Sequence, residues 1–292
     1  MSPYFTDLIT ATQLSSILSS NSAKDNLVIL DASIPPVGTK IQPSQQWPNF
    51  AIQDAQRFDL EYNFSDLSNP LPHTLPSKEQ FTKQAQLLGI NTETQIVLYD
   101  DQGIFSSARA WWMFKAMGHK NVAVLDGGLP LWLSLNLPCF DATCNHRSSF
   151  EKCLGDFKAT YNELAFCDRY KVLRNLKQTN IKIVDARSES RFLGKTPEPR
   201  SGVRSGHMPG AINLHYAQLL SKGCFLSVEQ LKSLFLDLVE QDDAMIMTCG
   251  SGVTACILLL GAHLCGFENT CVYDGSWSEW GILLELPVTT SV

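Results

Sequence analysis

Residues 244–261 read AMIMTCGSGVTACILLLG: an apolar, strand-like run ends at Cys249, two glycines bracket Ser251, and a helical pattern starts at once. A strand that turns directly into a helix is the building unit of an α/β sheet, and its turn lies at the carboxyl end of the strand, where such sheets bind their ligands. Backbone N–H groups of such a turn and the N-terminus of the following helix favour negative charge. An exposed thiol in that setting reads as an activated cysteine. The competing reading is a small buried hydrophobe ahead of a glycine turn.

Working outward, the chain is a duplication. NLVILDAS (26–33) is echoed by IKIVDARS (181–188), and NVAVLDGGLPLW (121–132) by NTCVYDGSWSEW (269–280). A spacing of 148 positions separates Asn121 from Asn269, Asp126 from Asp274 and Trp132 from Trp280. Subtracting the same 148 from Cys249 gives Asp101, within IVLYDDQG (96–103), which precedes a helix-like SSARAWWMFKAMG (106–118). The first half therefore carries a carboxylate where the second carries the thiol, and only the second is equipped for thiol chemistry. Between these anchors, apolar β-branched runs alternate with helix-period segments such as SKEQFTKQAQLLG (77–89) and SVEQLKSLFLDLVEQ (227–241), each opening on a serine suited to an N-cap. Alternation of this kind predicts βαβ units, hence a mainly parallel sheet flanked by helices in each half. The expected division is a non-catalytic domain at 1–140, a polar linker at 141–158 and a catalytic domain at 159–292.

Composition narrows the function. The 292 residues are 44% hydrophobic and 18% charged, with a formal net charge of −6, which offers no general attraction to nucleic acid or anionic lipid. The apolar stretch around Ala255 to Phe267 is too short to span a bilayer, and MSPYFTDLITATQL (1–14) lacks the basic segment and apolar core of a secretory signal. No membrane association and a cytoplasmic location are expected. Nine cysteines cannot all pair, and none forms a CxxC or a zinc-like Cys/His spacing, so mostly free thiols, no metal and no cofactor are expected.

The whole chain resembles the two-domain rhodanese-like sulfurtransferases. The resemblance is carried by YDDQGIFSSARAWWMFKAMGHKNVAVLDGGLPLW (99–132), DARSESRFLGKTPEPRSGVRSGHMPGAIN (185–213) and YDGSWSEWG (273–281). The loop CGSGVT (249–254) looks like that of the 3-mercaptopyruvate sulfurtransferases rather than the thiosulfate sulfurtransferases. One departure lies in the first half, where NFAIQDAQRFDLE (49–61) replaces the turn that the second half keeps as HMPGA (207–211). The resemblance implies two tandem rhodanese-like domains, with an inert first copy and a catalytic second one.

It also implies a chemistry. Cys249 takes sulfur from 3-mercaptopyruvate, releases pyruvate, holds a persulfide, and passes the sulfur to a thiol such as thioredoxin or glutathione, or to cyanide. Loop amides of Gly250, Ser251, Gly252, Val253 and Thr254 would hold the anionic sulfur. Arg191 and Arg200 match the positions that clamp the substrate's carboxylate and ketone, unless they pair with Glu189 or Glu198 as surface ions. Ser251, His73 (in PLPH, 70–73) and Glu61 match a serine, histidine and carboxylate relay, with Asp66 as a second candidate acid. Arg187 and His207 read as structural, and Cys256, Cys265 and Cys271 as small buried hydrophobes. A monomer is expected. The rivals are thiosulfate-to-cyanide transfer and a persulfide carrier module without a small substrate. A phosphatase is disfavoured because the loop ends in Thr254 and Ala255 where an arginine would be needed.

Overall fold

The computed structural model describes residues 6–20, 26–35, 50–141, 153–178 and 180–290. The expected linker at 141–158 falls mostly outside them. In the first half, β1 (Leu8–Ile9), α1 (Ala11–Leu18), β2 (Leu27–Asp31), β3 (Phe50–Ile52), β4 (Gln56–Arg57), α2 (Lys78–Leu87), β5 (Gln95–Tyr99), α3 (Ser106–Ala116), β6 (Val122–Leu125), α4 (Gly128–Ser134) and β7 (Cys139–Asp141) follow one another. The second half continues with β8 (Phe166–Cys167), α5 (Arg169–Asn175), β9 (Ile181–Asp185), α6 (Glu189–Phe192), β10 (Ile212–Asn213), β11 (Leu220–Ser221), β12 (Cys224–Phe225), α7 (Val228–Leu236), β13 (Ala244–Thr248), α8 (Ala255–Leu264), β14 (Thr270–Tyr273) and α9 (Ser276–Trp280).

Each half builds one five-stranded parallel sheet, in the order β1-β6-β5-β2-β4 and, in the mirror listing, β8-β14-β13-β9-β10. The two sheets have the same topology, as the duplication predicts. Both central strands are buried along nearly their whole length, which is why they read as unbroken apolar runs rather than alternating ones. The helices start where side chains can take up orphan N–H groups: Ser77 Oγ accepts from Gln80 N–H, and Ser227 forms a capping box with Gln230. Helix α7 ends at Leu236, five residues short of the predicted 241, because Leu238 and Val239 both turn back onto the carbonyl of Phe235.

The two compact units are not continuous in sequence. The first comprises described residues up to Ser65, then Pro76–Tyr161 and Lys222–Cys224; the second comprises Asp66–Leu75, Asn162–Ser221 and the residues from Phe225 onward. Each unit has its own core. Ile29, Val97, Tyr99, Leu125 and Trp132 centre the first, and Ile183, Ile246, Tyr273, Trp277 and Trp280 the second. Even details repeat: the indole N–H of Trp132 donates to Pro138 O at 2.9 Å and that of Trp280 to Pro287 O at 2.8 Å. Trp111 and Trp112 are buried in the first unit, with the Arg109 guanidinium 4.3 Å from the Trp112 ring centroid.

The ladders correct one equivalence. Asp31 at the end of β2 pairs with Tyr99, whereas Asp185 at the end of β9 pairs with Thr248. Tyr99 thus corresponds to Thr248, and Cys249 corresponds to Asp100, not to Asp101. The next contact agrees, since Leu129 N–H donates to Asp100 O at 3.0 Å and Trp277 N–H to Cys249 O at 2.9 Å. The spacing is one residue longer across the strand and loop because α3 spans 11 residues and α8 only 10.

Among the described residues, no helix is long and apolar enough to cross a membrane. No disulfide links the described cysteines, and no group of three or more His, Cys, Asp or Glu among the described residues is arranged to hold a metal.

Candidate active site

Cys249 follows the last residue of β13, and the chain then turns through Gly252, at φ 78°, into α8. A left-handed turn at that position suits glycine, and it aims the positive end of a buried helix at the loop. The expected exposed thiol is corrected: Cys249 is 2% exposed. Its backbone is gripped from both ends, with Cys249 N–H donating to Ser276 Oγ at 3.4 Å and Cys249 O accepting from Trp277 N–H at 2.9 Å. Ser278 N–H and Oγ both donate to Gly250 O, at 2.8 and 2.6 Å. Inside the loop, Cys256 Sγ donates to Gly252 O at 3.2 Å, so this thiol braces the turn. Val253 is buried, and Thr254 stands at the N-cap position of α8.

Arg191, on α6, reaches over the loop. A Cβ built on Gly250 would meet Arg191 Nη2 at 3.1 Å, so the missing side chain is what admits the guanidinium. The same Arg191 is paired with Glu198 at 2.5 Å. Of the two acids weighed as partners, Glu198 is the one engaged, and it is a buried bracket rather than a surface ion. Its side chain is 4% exposed and also meets Arg187 at 2.8 Å, while Arg187 pairs with Asp185 at 2.6 Å. Two carboxylates and two guanidinium groups balance one another and hold Arg191 in a fixed direction. Arg187 itself is buried, lies over the Trp277 ring at 4.3 Å, and keeps its charge because Asp185 and Glu198 outweigh its desolvation. Arg200 Nη1 donates to Ser278 Oγ at 3.5 Å, one hydroxyl away from Gly250 O. His207 is a strut, its Nδ1 2.8 Å from Phe192 O and its ring stacked on Phe192.

Ser251 is 8% exposed, and its Oγ lies 3.2 Å from His73 Nδ1. His73 comes from the segment 66–75, which belongs to the second unit although it precedes it in sequence. The backbone of His73 has φ 58°, a left-handed conformation that a residue with a side chain holds only when its surroundings fix it. Asp66, the second candidate acid, has its Oδ1 engaged by Ser68 N–H and Oγ, at 2.9 and 2.6 Å, and closes a local turn. Glu61 lies in the first unit, where its N–H donates to Asp59 Oδ1 at 3.1 Å.

Three residues of the site escaped the sequence reading: Ser276 and Ser278 hold the backbone of the thiol loop, and Asp274 Oδ2 accepts the N–H of Leu75 at 2.9 Å. Asp274 was visible only as a marker of the repeat, and the others as polar residues in loops.

The rhodanese-like domain model matches residues 11–135 and again 168–282. The chain belongs to the rhodanese-like family. Among curated relatives, the 3-mercaptopyruvate sulfurtransferase of Rattus norvegicus is 39% identical over 94% of this chain and 92% of its own length. The thiosulfate sulfurtransferase of the same organism is 37% identical over 94% of this chain and 91% of its own. The crystal structure of the 3-mercaptopyruvate sulfotransferase SseA from Escherichia coli superposes with a TM-score of 0.80 at 32% identity, covering 94% of this chain and all of that one. Identity to the two named activities differs too little to choose between them, so the choice falls to the loop and its neighbours.

Proposed function

We propose that this rhodanese-like chain is a 3-mercaptopyruvate sulfurtransferase. The reading rests above all on the Ser251 Oγ to His73 Nδ1 contact of 3.2 Å on the loop that starts at Cys249. Sulfur transfer from mercaptopyruvate, unlike that from thiosulfate, expels a carbanion equivalent, and a serine and histidine pair can supply its proton. The Cys249 thiolate attacks the substrate sulfur; a sulfur–sulfur bond forms while the carbon–sulfur bond breaks, and its electron pair leaves on carbon as the enolate of pyruvate. The enolate takes a proton through Ser251 and His73. The persulfide left on Cys249 is held by the loop amides from Gly250 to Thr254. A thiolate of thioredoxin or glutathione, or cyanide, then attacks the outer sulfur and regenerates the Cys249 thiolate.

Substrate choice follows from charge. Gly250 and Ser251 put no cation into the loop itself, which disfavours compact dianionic thiosulfate, whereas Arg191 and Arg200 stand at its rim to take a keto acid's carboxylate and carbonyl. Docking of the carboxylate on Arg191, which lies against Gly250 beside the thiol, positions sulfur against sulfur. Intact-protein and peptide mass spectrometry after brief incubation with 3-mercaptopyruvate tests the reading. One added sulfur on Cys249, lost on addition of thiol and absent in Cys249→Ser, is expected together with pyruvate release. A catalytic efficiency higher for thiosulfate than for mercaptopyruvate would overturn it.

A further inference from the structure

The turn that follows β14 touches both parts of the chemistry. Ser276 Oγ accepts Cys249 N–H and donates to Tyr273 O at 2.8 Å, and Trp277 N–H holds Cys249 O. From the same turn, Asp274 Oδ2 accepts Leu75 N–H at 2.9 Å. Leu75 is two residues beyond His73. The segment is also closed on itself, by Asp66 N–H to Thr74 O at 3.0 Å and Thr74 Oγ1 to Leu71 O at 3.0 Å. Those internal bonds shape the loop without tying it to β14. A carboxylate accepting a backbone N–H makes a shorter and stronger bond than a neutral acceptor, so Asp274 is suited to fix a left-handed residue two positions away.

We propose that Asp274 is a positioning residue for the His73 and Ser251 pair: by holding Leu75 N–H it keeps His73 Nδ1 at hydrogen-bond distance from Ser251 Oγ, and it does so from the turn that also fixes Cys249. One turn thereby sets the nucleophile and the proton-handling pair in a common frame. The effect of Asp274 runs through the Leu75 N–H to His73. The proposal rests on the serine and histidine reading given under Proposed function.

The test is steady-state kinetics with 3-mercaptopyruvate for His73→Ala, Asp274→Ala, Asp274→Asn and the double variant His73→Ala/Asp274→Ala. Loss of the histidine is expected to lower kcat by about 10²-fold. Asp274→Ala is expected to lower kcat by about tenfold with KM changed less than about twofold, since a displaced group costs rate while the arginines still bind substrate. Asp274→Asn, which keeps an acceptor oxygen, restores most of kcat, and the double variant is no slower than His73→Ala alone. Should Asp274→Ala fail to fold, Leu75→Pro deletes the donor N–H from the other side and is expected to give the same kcat loss. Wild-type kcat in Asp274→Ala or in a folded Leu75→Pro, a rise in KM with kcat unchanged, or losses that multiply in the double variant overturn the proposal alone. Wild-type kcat in His73→Ala removes the relay reading and this proposal together.

Discussion

Asp100 and Cys249 occupy the same position in the two copies of one fold, each immediately after the central strand and each with its carbonyl held by the N–H of the second residue of a later helix, Leu129 of α4 or Trp277 of α9. In the first copy the side chain is surrounded by donors. Asp100 Oδ2 accepts Phe105 N–H at 2.7 Å, Ser107 N–H at 2.9 Å and Ser107 Oγ at 2.6 Å, and Oδ1 accepts Gln102 N–H at 2.9 Å. A buried carboxylate sits in a nest of donors where the second copy has the Cys249 side chain.

Removing that carboxylate leaves the donors unsatisfied inside the protein. Asp100→Ala is expected to destabilise the first unit by about 3 kcal/mol, the cost of stripping a charged acceptor from several buried N–H groups. Urea unfolding of the variant against wild type measures it, and an unchanged midpoint would show that the nest does not depend on its anion.

Asp101 is exposed at the surface, yet it is pushed up to about 6 by partial desolvation from the protein around it and by the nearby carboxylates of Asp100 and Asp31. Its folded value lies above the ordinary 3.8, so between those values the folded state binds more protons than the unfolded state, and stability falls as pH rises through that window. Asp101→Asn removes this pH-dependent loss. The variant is expected to gain melting temperature relative to wild type at pH 7.5 and to show a smaller gain, or none, at pH 4; an equal difference at both pH values contradicts the assignment.

Arg191→Ala removes the guanidinium above Gly250 while Glu198 keeps Arg187. KM for 3-mercaptopyruvate is expected to rise by about 10- to 100-fold, the loss of a charge-assisted bond. Unchanged kinetics would favour a persulfide carrier that takes sulfur from a protein partner.

Gly250→Ala places a methyl group 3.1 Å from Arg191 Nη2, and Arg191 cannot retreat freely because Glu198 holds it. A rise in KM with little change in melting temperature is expected, the arginine being displaced rather than the core. An unaltered KM would mean that Arg191 does not work from this position.

Periodicity and the internal repeat were enough to read two parallel α/β copies, because apolar runs that must be buried on both faces and serines that cap helices are local signals. The repeat also pointed to a thiol in one copy and a carboxylate in the other, but it missed the partner by one residue, since the change in helix length between α3 and α8 leaves no trace at the loop itself. Arg191 and Arg200 were legible through the family pattern around them. Ser276, Ser278 and Asp274 were not, because each acts through a contact made only after distant segments meet; Glu198 was legible as a partner of the arginines but not as a buried one.

The sequence by itself determined the fold of each copy, the duplication and the place of a cysteine at the end of the second central strand, all of which are written in short-range patterns of burial and turn chemistry. The tertiary structure alone decided that Cys249 is enclosed, that Asp100 is its counterpart, that Glu198 brackets Arg191, and that residues 66–75 carry His73 to Ser251 within the second unit. The physical reason is that burial, ion pairing and hydrogen bonding depend on distances between groups far apart along the chain, and those distances exist only once the sheets are formed.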